Sequence, residues 1–205
     1  MTSRFVPGSP AERRRGRRRR SALALTLALA VGLVTGAAPA SAAREAAQPS
    51  PFRLADQRGD VEYSRGDLTG IKVELLAHSL RLTMHTRVGS NPSTWKPNET
   101  FLQWSLSLHP DQFTDYEAFV YNDGTHVVAP VQRIVLGNRY HVCDATFSHP
   151  ASTTFVVEIA GPCLQDPASV RVSTDMDFAP HGSVSGTQSS DFVPQFTNWS
   201  PVITR

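Results

Sequence analysis

Three features of the 205-residue chain predict an all-β fold, an antiparallel β-sandwich or jelly roll of about eight to ten short strands. From about Phe52 to Pro180 the apolar residues recur with period two, because successive side chains of a half-buried strand point to opposite faces. Turn-forming residues interrupt this pattern at short intervals. Outside the leader no segment has a convincing period of 3.6, and no internal repeat suggests a solenoid or propeller. Short strands with frequent turns and no helices leave sandwich-like architectures.

The strands can be read in order. Ile71, Val73 and Leu75 alternate with Lys72 and Glu74, and Leu80, Leu82 and Met84 alternate with Arg81, Thr83 and His85. The two runs meet at His78-Ser79 and read as a hairpin. Leu102, Trp104, Leu106 and Leu108 share one face, which makes Trp104 a core residue. Tyr116 to Tyr121 runs into Asn122-Asp123-Gly124, a strong turn signal. His126 to Val128, Arg133 to Leu136 and Arg139 to Cys143 follow, with Gly137-Asn138 as a second hairpin turn. Phe155, Val157 and Ile159 form another alternating strand, and Val170 and Val172 mark the last clear one.

Charge divides the chain unevenly. Residues 1–42 hold eight arginines and one acid, leaving 12 basic and 17 acidic residues beyond them, a net charge of −5. The basic stretch, an apolar run of about 15 residues and Ala40-Ser41-Ala42 have the order of a secretory signal peptide cut after Ala42 or Ala43. Arg19-Arg20 leaves open either general or twin-arginine export. Spanning a membrane takes about 20 apolar residues, and Gly32, Gly36 and Pro39 interrupt this run too early. The expected mature protein is secreted and extracellular, with no membrane span. Its acidity argues against nucleic acid, which is bound through clustered positive charge. Residues 43–52 are expected to be a flexible lead-in and 53–180 the sandwich domain. Residues 181–194, rich in Gly, Ser, Thr and Gln, read as a mobile linker. Residues 195–205 carry Phe196, Trp199 and Val202 and are expected to dock on the domain. The sequence sets no oligomeric state.

Cys143 and Cys163 are the two cysteines, and in an exported chain an even pair is most simply a structural disulfide. A metal pair or a catalytic thiol is the alternative, but no CxxC or HxxxH partner stands nearby. The run from Cys143 to Met176, CDATFSHPASTTFVVEIAGPCLQDPASVRVSTDM, resembles a segment of uncharacterised small secreted β-sandwich proteins of high-GC Gram-positive bacteria. Their D-x-x-GD-V opening is similar to DQRGDVEYSRGDLTGIKVELLAH, and their W-[ST]-P-x-V-x-R ending to NWSPVITR. That resemblance implies the fold and no activity. A looser fold-level likeness exists to DOMON-type and sugar-binding sandwich domains.

Candidate chemistry is sparse. Arg58-Gly59-Asp60 and Arg65-Gly66-Asp67 are integrin-type tripeptides that also serve as turns before strands, and the second role is expected here. Asp56 with Asp60, or Asp175 with Asp177, are the pairs that calcium would use, but no EF-hand spacing is present and solvated carboxylates are expected. The histidines at 78, 85, 109, 126, 141, 149 and 181 form no HExxH motif, although His126 with His141, or His78 with His85, lie on neighbouring strands. Gly182-Ser183-Val184-Ser185-Gly186 places valine where a nucleophile elbow needs serine. No catalytic residue, cofactor or metal is therefore expected. Trp95, in the proline-bordered loop NPSTWKPNE, and Tyr121 are the candidate ligand-binding residues, since an aromatic face with a polar tip suits sugars and protein partners. The resulting expectation is a non-catalytic binding or surface-interaction module for an unidentified ligand, a carbohydrate or envelope polymer being favoured. A small secreted hydrolase with an unrecognised site and a structural envelope protein are the alternatives.

Overall fold

The computed structural model describes residues 47–109, 113–179, 189–194 and 198–205. The expected signal peptide, most of the expected linker and Phe196 lie outside the described residues. Within them the chain forms an all-β sandwich with fourteen strands rather than eight to ten. The larger sheet contains β1 (Gln48–Pro49), β14 (Ile203–Thr204), β12 (Ser169–Phe178), β5 (Phe101–Ser107), β6 (Tyr116–Asn122), β8 (Pro130–Val135) and β9 (Asn138–Asp144) in that spatial order. To it are added β13 (Ser189–Val193) beside β12 and β7 (Val127–Val128) beside β6. The smaller sheet is ordered β10 (Thr146–Ala151), β11 (Thr154–Ala160), β4 (Ser79–Thr86), β3 (Leu68–Leu75), β2 (Phe52–Ala55). All pairings are antiparallel except β1 with β14.

The alternation in the sequence becomes the core. Ile71, Val73 and Leu75 of β3, Leu80, Leu82 and Met84 of β4, and Phe155, Val157 and Ile159 of β11 line the small sheet's inner face. Leu102, Trp104, Leu106, Ala118, Val120, Val172 and Met176 face them from the larger sheet, in one continuous cluster. The β3–β4 hairpin forms as expected, Leu75 pairing with Leu80. At the Asn122-Asp123-Gly124 turn, the Asp123 carboxylate accepts hydrogen bonds from the backbone N–H groups of Thr125 and His126 and from the Thr125 hydroxyl. These bonds hold its pKa down at about 2.

Both seams of the sandwich are crossed by the chain itself. On one side β9 passes through Ala145 into β10, moving from the edge of the larger sheet to that of the smaller. On the other, β1 passes through Ser50-Pro51 into β2. Strands that bend from one sheet into another make such corners. A disulfide joins Cys143 of β9 to Cys163 in the 3-10 turn Gly161–Leu164 after β11, with the Cα atoms 6.1 Å apart. It ties the two sheets together at that seam.

Two expected flexible segments contain strands. Gln48–Pro49 pairs with the C-terminal β14, so the lead-in is fixed by a partner 155 residues away in sequence. Ser189–Val193 pairs with β12 as β13, because Asp191 and Val193 turn inward and Asp191 accepts a bond from the Leu68 N–H. At the C-terminus, the Ser200 N–H donates to the Val172 carbonyl and its hydroxyl accepts from the Val172 N–H. Ile203 is fully buried.

Two predictions follow from this framework. The β8–β9 turn falls on Leu136-Gly137 and not on the expected Gly137-Asn138, since Val135 pairs with Asn138, and it holds Leu136 at φ 51° and Gly137 at φ 77°, with Leu136 97% exposed. A left-handed conformation costs a branched residue about 1–2 kcal/mol, so Leu136→Asn or Leu136→Gly should raise the melting temperature by several degrees in calorimetry. Reducing the disulfide, or replacing Cys163 by serine, releases a loop closed across 20 residues. This should lower the unfolding free energy by about 3 kcal/mol in denaturant titrations.

Candidate functional site

The larger sheet has two faces, and only the inner one is consumed by the core. Cross-strand register sets three rows of side chains on the outer face. The first row runs Phe192, Asp175, Gln103, Phe119 across β13, β12, β5 and β6. The second runs Ser190, Asp177, Phe101, Tyr121, Val128. The third runs Ser173, Ser105, Glu117, Gln132, His141. Period two thus interleaves aromatics, amides, hydroxyls and carboxylates on one surface.

Phe101, Phe119 and Tyr121, with Asn98, line a shallow depression of about 200 Å³. Phe101 and Phe119 meet edge to face with ring centroids 6.4 Å apart. All three aromatics are half-buried. The depression is smaller than the 300–1,000 Å³ typical of enclosed small-molecule pockets.

The carboxylates beside it are crowded. Glu117 is nearly buried and is held by Arg139, whose Nε and Nη2 donate at 2.5 and 3.2 Å. Asp177 accepts a hydrogen bond from the Ser190 hydroxyl. Asp175, between Gln103 and Phe192, has no such partner among the described residues. Burial, reinforced by the charges of Asp177 and Glu117, pushes its pKa up to about 7. A carboxyl raised in this way holds its proton to higher pH than an ordinary aspartate, and when protonated it can donate as well as accept a hydrogen bond.

Trp95 does not belong to this face. Its indole is 3% exposed, packs against Phe155 with centroids 5.6 Å apart, and donates Nε1–H to the Ser90 hydroxyl. The loop between the 3-10 turn Pro92–Thr94 and β5 folds inward because the ring caps an otherwise open end of the core. A cavity of about 520 Å³ lies beside it, bordered by Arg65, Thr94 and Asn122. The polar groups there are largely spent on the loop itself. Thr94 donates to the Asn91 carbonyl, Ser93 to the Asn91 side chain, and Asn122 to the Ser93 carbonyl. Of the two candidate ligand-binding residues, Tyr121 alone presents a partly open ring.

The other sequence candidates separate. Asp67 of the second Arg-Gly-Asp is fully buried, whereas Arg58-Gly59-Asp60 is exposed. Asp175 and Asp177 belong to the outer face, while Asp56 and Asp60 meet Asp191 elsewhere. Among the described residues no histidine joins a group of three metal-ligating side chains. His141 pairs in register with Gln132 and bonds Asp144 at 3.0 Å. The residues that sequence reasoning missed are Phe101, Phe119, Gln103 and Phe192. Their alternation with core leucines and valines was visible, but which strands lie side by side was not.

No family model matches the chain, and no curated protein and no solved structure matches it. Among the described residues no helix is long and apolar enough to cross a membrane.

The Asp175 environment makes a prediction. Its folded-state pKa lies above the ordinary 3.8, so the folded state favours the protonated form. The resulting destabilisation is absent below about pH 4, grows with pH, and is complete above about pH 7. Asp175→Asn should raise stability by about 2–4 kcal/mol at pH 8, and the gain should vanish near pH 4 when melting curves are compared.

Proposed function

We propose that the protein is exported and acts as a non-catalytic carbohydrate-binding module, its ligand a surface or envelope polysaccharide. The observation that carries this reading is the aromatic depression of Phe101, Phe119 and Tyr121, adjoined in register by Gln103, Asp175 and Asp177. Sugar rings offer apolar C–H faces that pack on aromatic rings, with hydroxyls around the rim that need donors and acceptors. A row of amide and carboxyl groups one residue step from the rings meets both needs at once. The open, sheet-wide form suits a polymer better than a free monosaccharide.

Export is supported by the order of the leader and by the Cys143–Cys163 bond, since disulfides persist in oxidising compartments.

Binding is tested by co-sedimentation with insoluble cellulose, chitin and purified cell-wall peptidoglycan, and by calorimetry with soluble oligosaccharides of the polymer that sediments the protein. Tyr121→Ala and Phe119→Ala should each weaken binding about tenfold or more, equivalent to 1.4 kcal/mol. Leu136→Asn, on the β8–β9 turn, should leave it unchanged. Retention of full affinity by both aromatic variants, or no binding to any of these polymers, overturns the reading.

A further inference from the structure

A second acidic group stands apart from the carboxylates of the outer face and contains Asp56 and Asp60, one of the pairs the sequence offered to calcium. Asp56 and Asp60 lie in the segment between β2 and β3, and Asp191 comes from the middle of β13. One carboxylate oxygen from each lies within 4.8 Å of the others. The segment is shaped to bring them there. Gly59, at φ 80°, donates its N–H to Asp67 Oδ2 at 2.8 Å, and Arg87 Nη1 reaches the same oxygen at 3.3 Å. The Asp56 N–H donates to the Thr69 carbonyl at 3.2 Å. Asp191 is 5% exposed and is held by the N–H groups of Leu68 and Phe192 at 2.6 and 2.8 Å.

A group of acids alone would not define a site. Here Oδ2 of Asp56, a member of the group, is buried without any hydrogen-bond partner among the described residues, and so is Oδ1 of Asp67. Asp67 is fully buried, and its charge acts on Asp56. Buried polar oxygens are nearly always satisfied, and an unpaired one points to a missing water or ion. Among the described residues the Arg87 side chain pairs with Asp67, and the carboxylates of Asp56, Asp60 and Asp191, with oxygens within 4.8 Å of one another, repel when ionised.

We propose that Asp56, Asp60 and Asp191 form a calcium site, bordered by Asp67, which fastens the segment before β3 to β13. Oxygen donors without histidine or thiolate select a hard cation over zinc or copper. Oxygens bound to one calcium ion at 2.3–2.6 Å lie no more than about 5 Å apart, which the spacing here permits. Magnesium demands a tighter octahedron with shorter bonds and gives up its water reluctantly, so calcium is the better fit. The ion would join the segment between β2 and β3 of the smaller sheet to β13 of the larger, so its main effect should be on stability.

The test uses the secreted full-length protein after treatment with a chelator. Calcium chloride should raise the melting temperature by several degrees, saturably, with half the effect at about 0.1–1 mM, the range of extracellular calcium modules. Sodium chloride at equal ionic strength should not reproduce the shift, and magnesium should do so only at higher concentration. Asp60 is exposed and makes no hydrogen bond with a described residue, so Asp60→Asn should fold normally. It should melt no lower than the metal-free parent and weaken the calcium response at least tenfold. Calorimetry on the unsubstituted protein should show one calcium per chain. A calcium shift matched by sodium chloride, an Asp60→Asn variant that responds like the parent, or no binding heat up to about 10 mM calcium each overturns the proposal.

Discussion

Everything in this molecule depends on two sheets burying one face each against the other. Apolar surface removed from water is the main favourable contribution to folding, about 25 cal/mol for each Å². It is available to a strand only if every second residue is given up to the core. Trp104, Phe155, Leu82 and Met176 are such residues, fully buried between the sheets. The complementary positions are thereby left on the outside, in rows, at fixed spacing. The outer face of the larger sheet is a by-product of core formation, and its regular order lets aromatics and carboxyl groups stand side by side.

A sandwich built this way has open seams, and the chain deals with them economically. β9 continues into β10 and β1 into β2, so each long edge is crossed by backbone that belongs to both sheets. The Cys143–Cys163 bond reinforces one seam. The C-terminal strand β14, set between β1 and β12, reinforces the other. Edge strands with unpaired N–H and C=O groups invite association with other chains, and covering or bending them reduces that hazard. Both terminal segments of the described chain are thus part of the architecture.

Electrostatics run against compactness in two places. Asp175, Asp177 and Glu117 share the outer face, and Asp56, Asp60 and Asp191 share the segment before β3. Carboxylates gathered in partly desolvated surroundings oppose folding. Within the chain Arg139 pairs with Glu117 and Ser190 donates to Asp177. Hydroxyl-rich ligands can share the proton of Asp175, and a divalent cation can neutralise the second cluster. The two groups use different residues and call for different chemistry, although β13 contributes Ser190 and Phe192 to one and Asp191 to the other.

By itself the sequence determined the fold class, the β3–β4 and β8–β9 hairpins, the Asn-Asp-Gly turn and the core role of Trp104. All of these arise from periodicity or from local backbone preference, which act over a few neighbouring residues. The disulfide was legible for a similar reason, since two cysteines leave one intramolecular pairing. Tertiary structure decided the rest. Trp95 reads as a polar-loop aromatic until Phe155, 60 residues away, is placed beneath it. Ser189–Val193 reads as linker until β12 supplies a partner and Leu68 supplies a donor. Gln48–Pro49 reads as a flexible lead-in until β14 arrives beside it. The rows of the outer face, and the meeting of Asp56 and Asp60 with Asp191, depend on which strands lie adjacent. Strand adjacency is settled by the global fit of two sheets around one core, and no local stretch of residues encodes it.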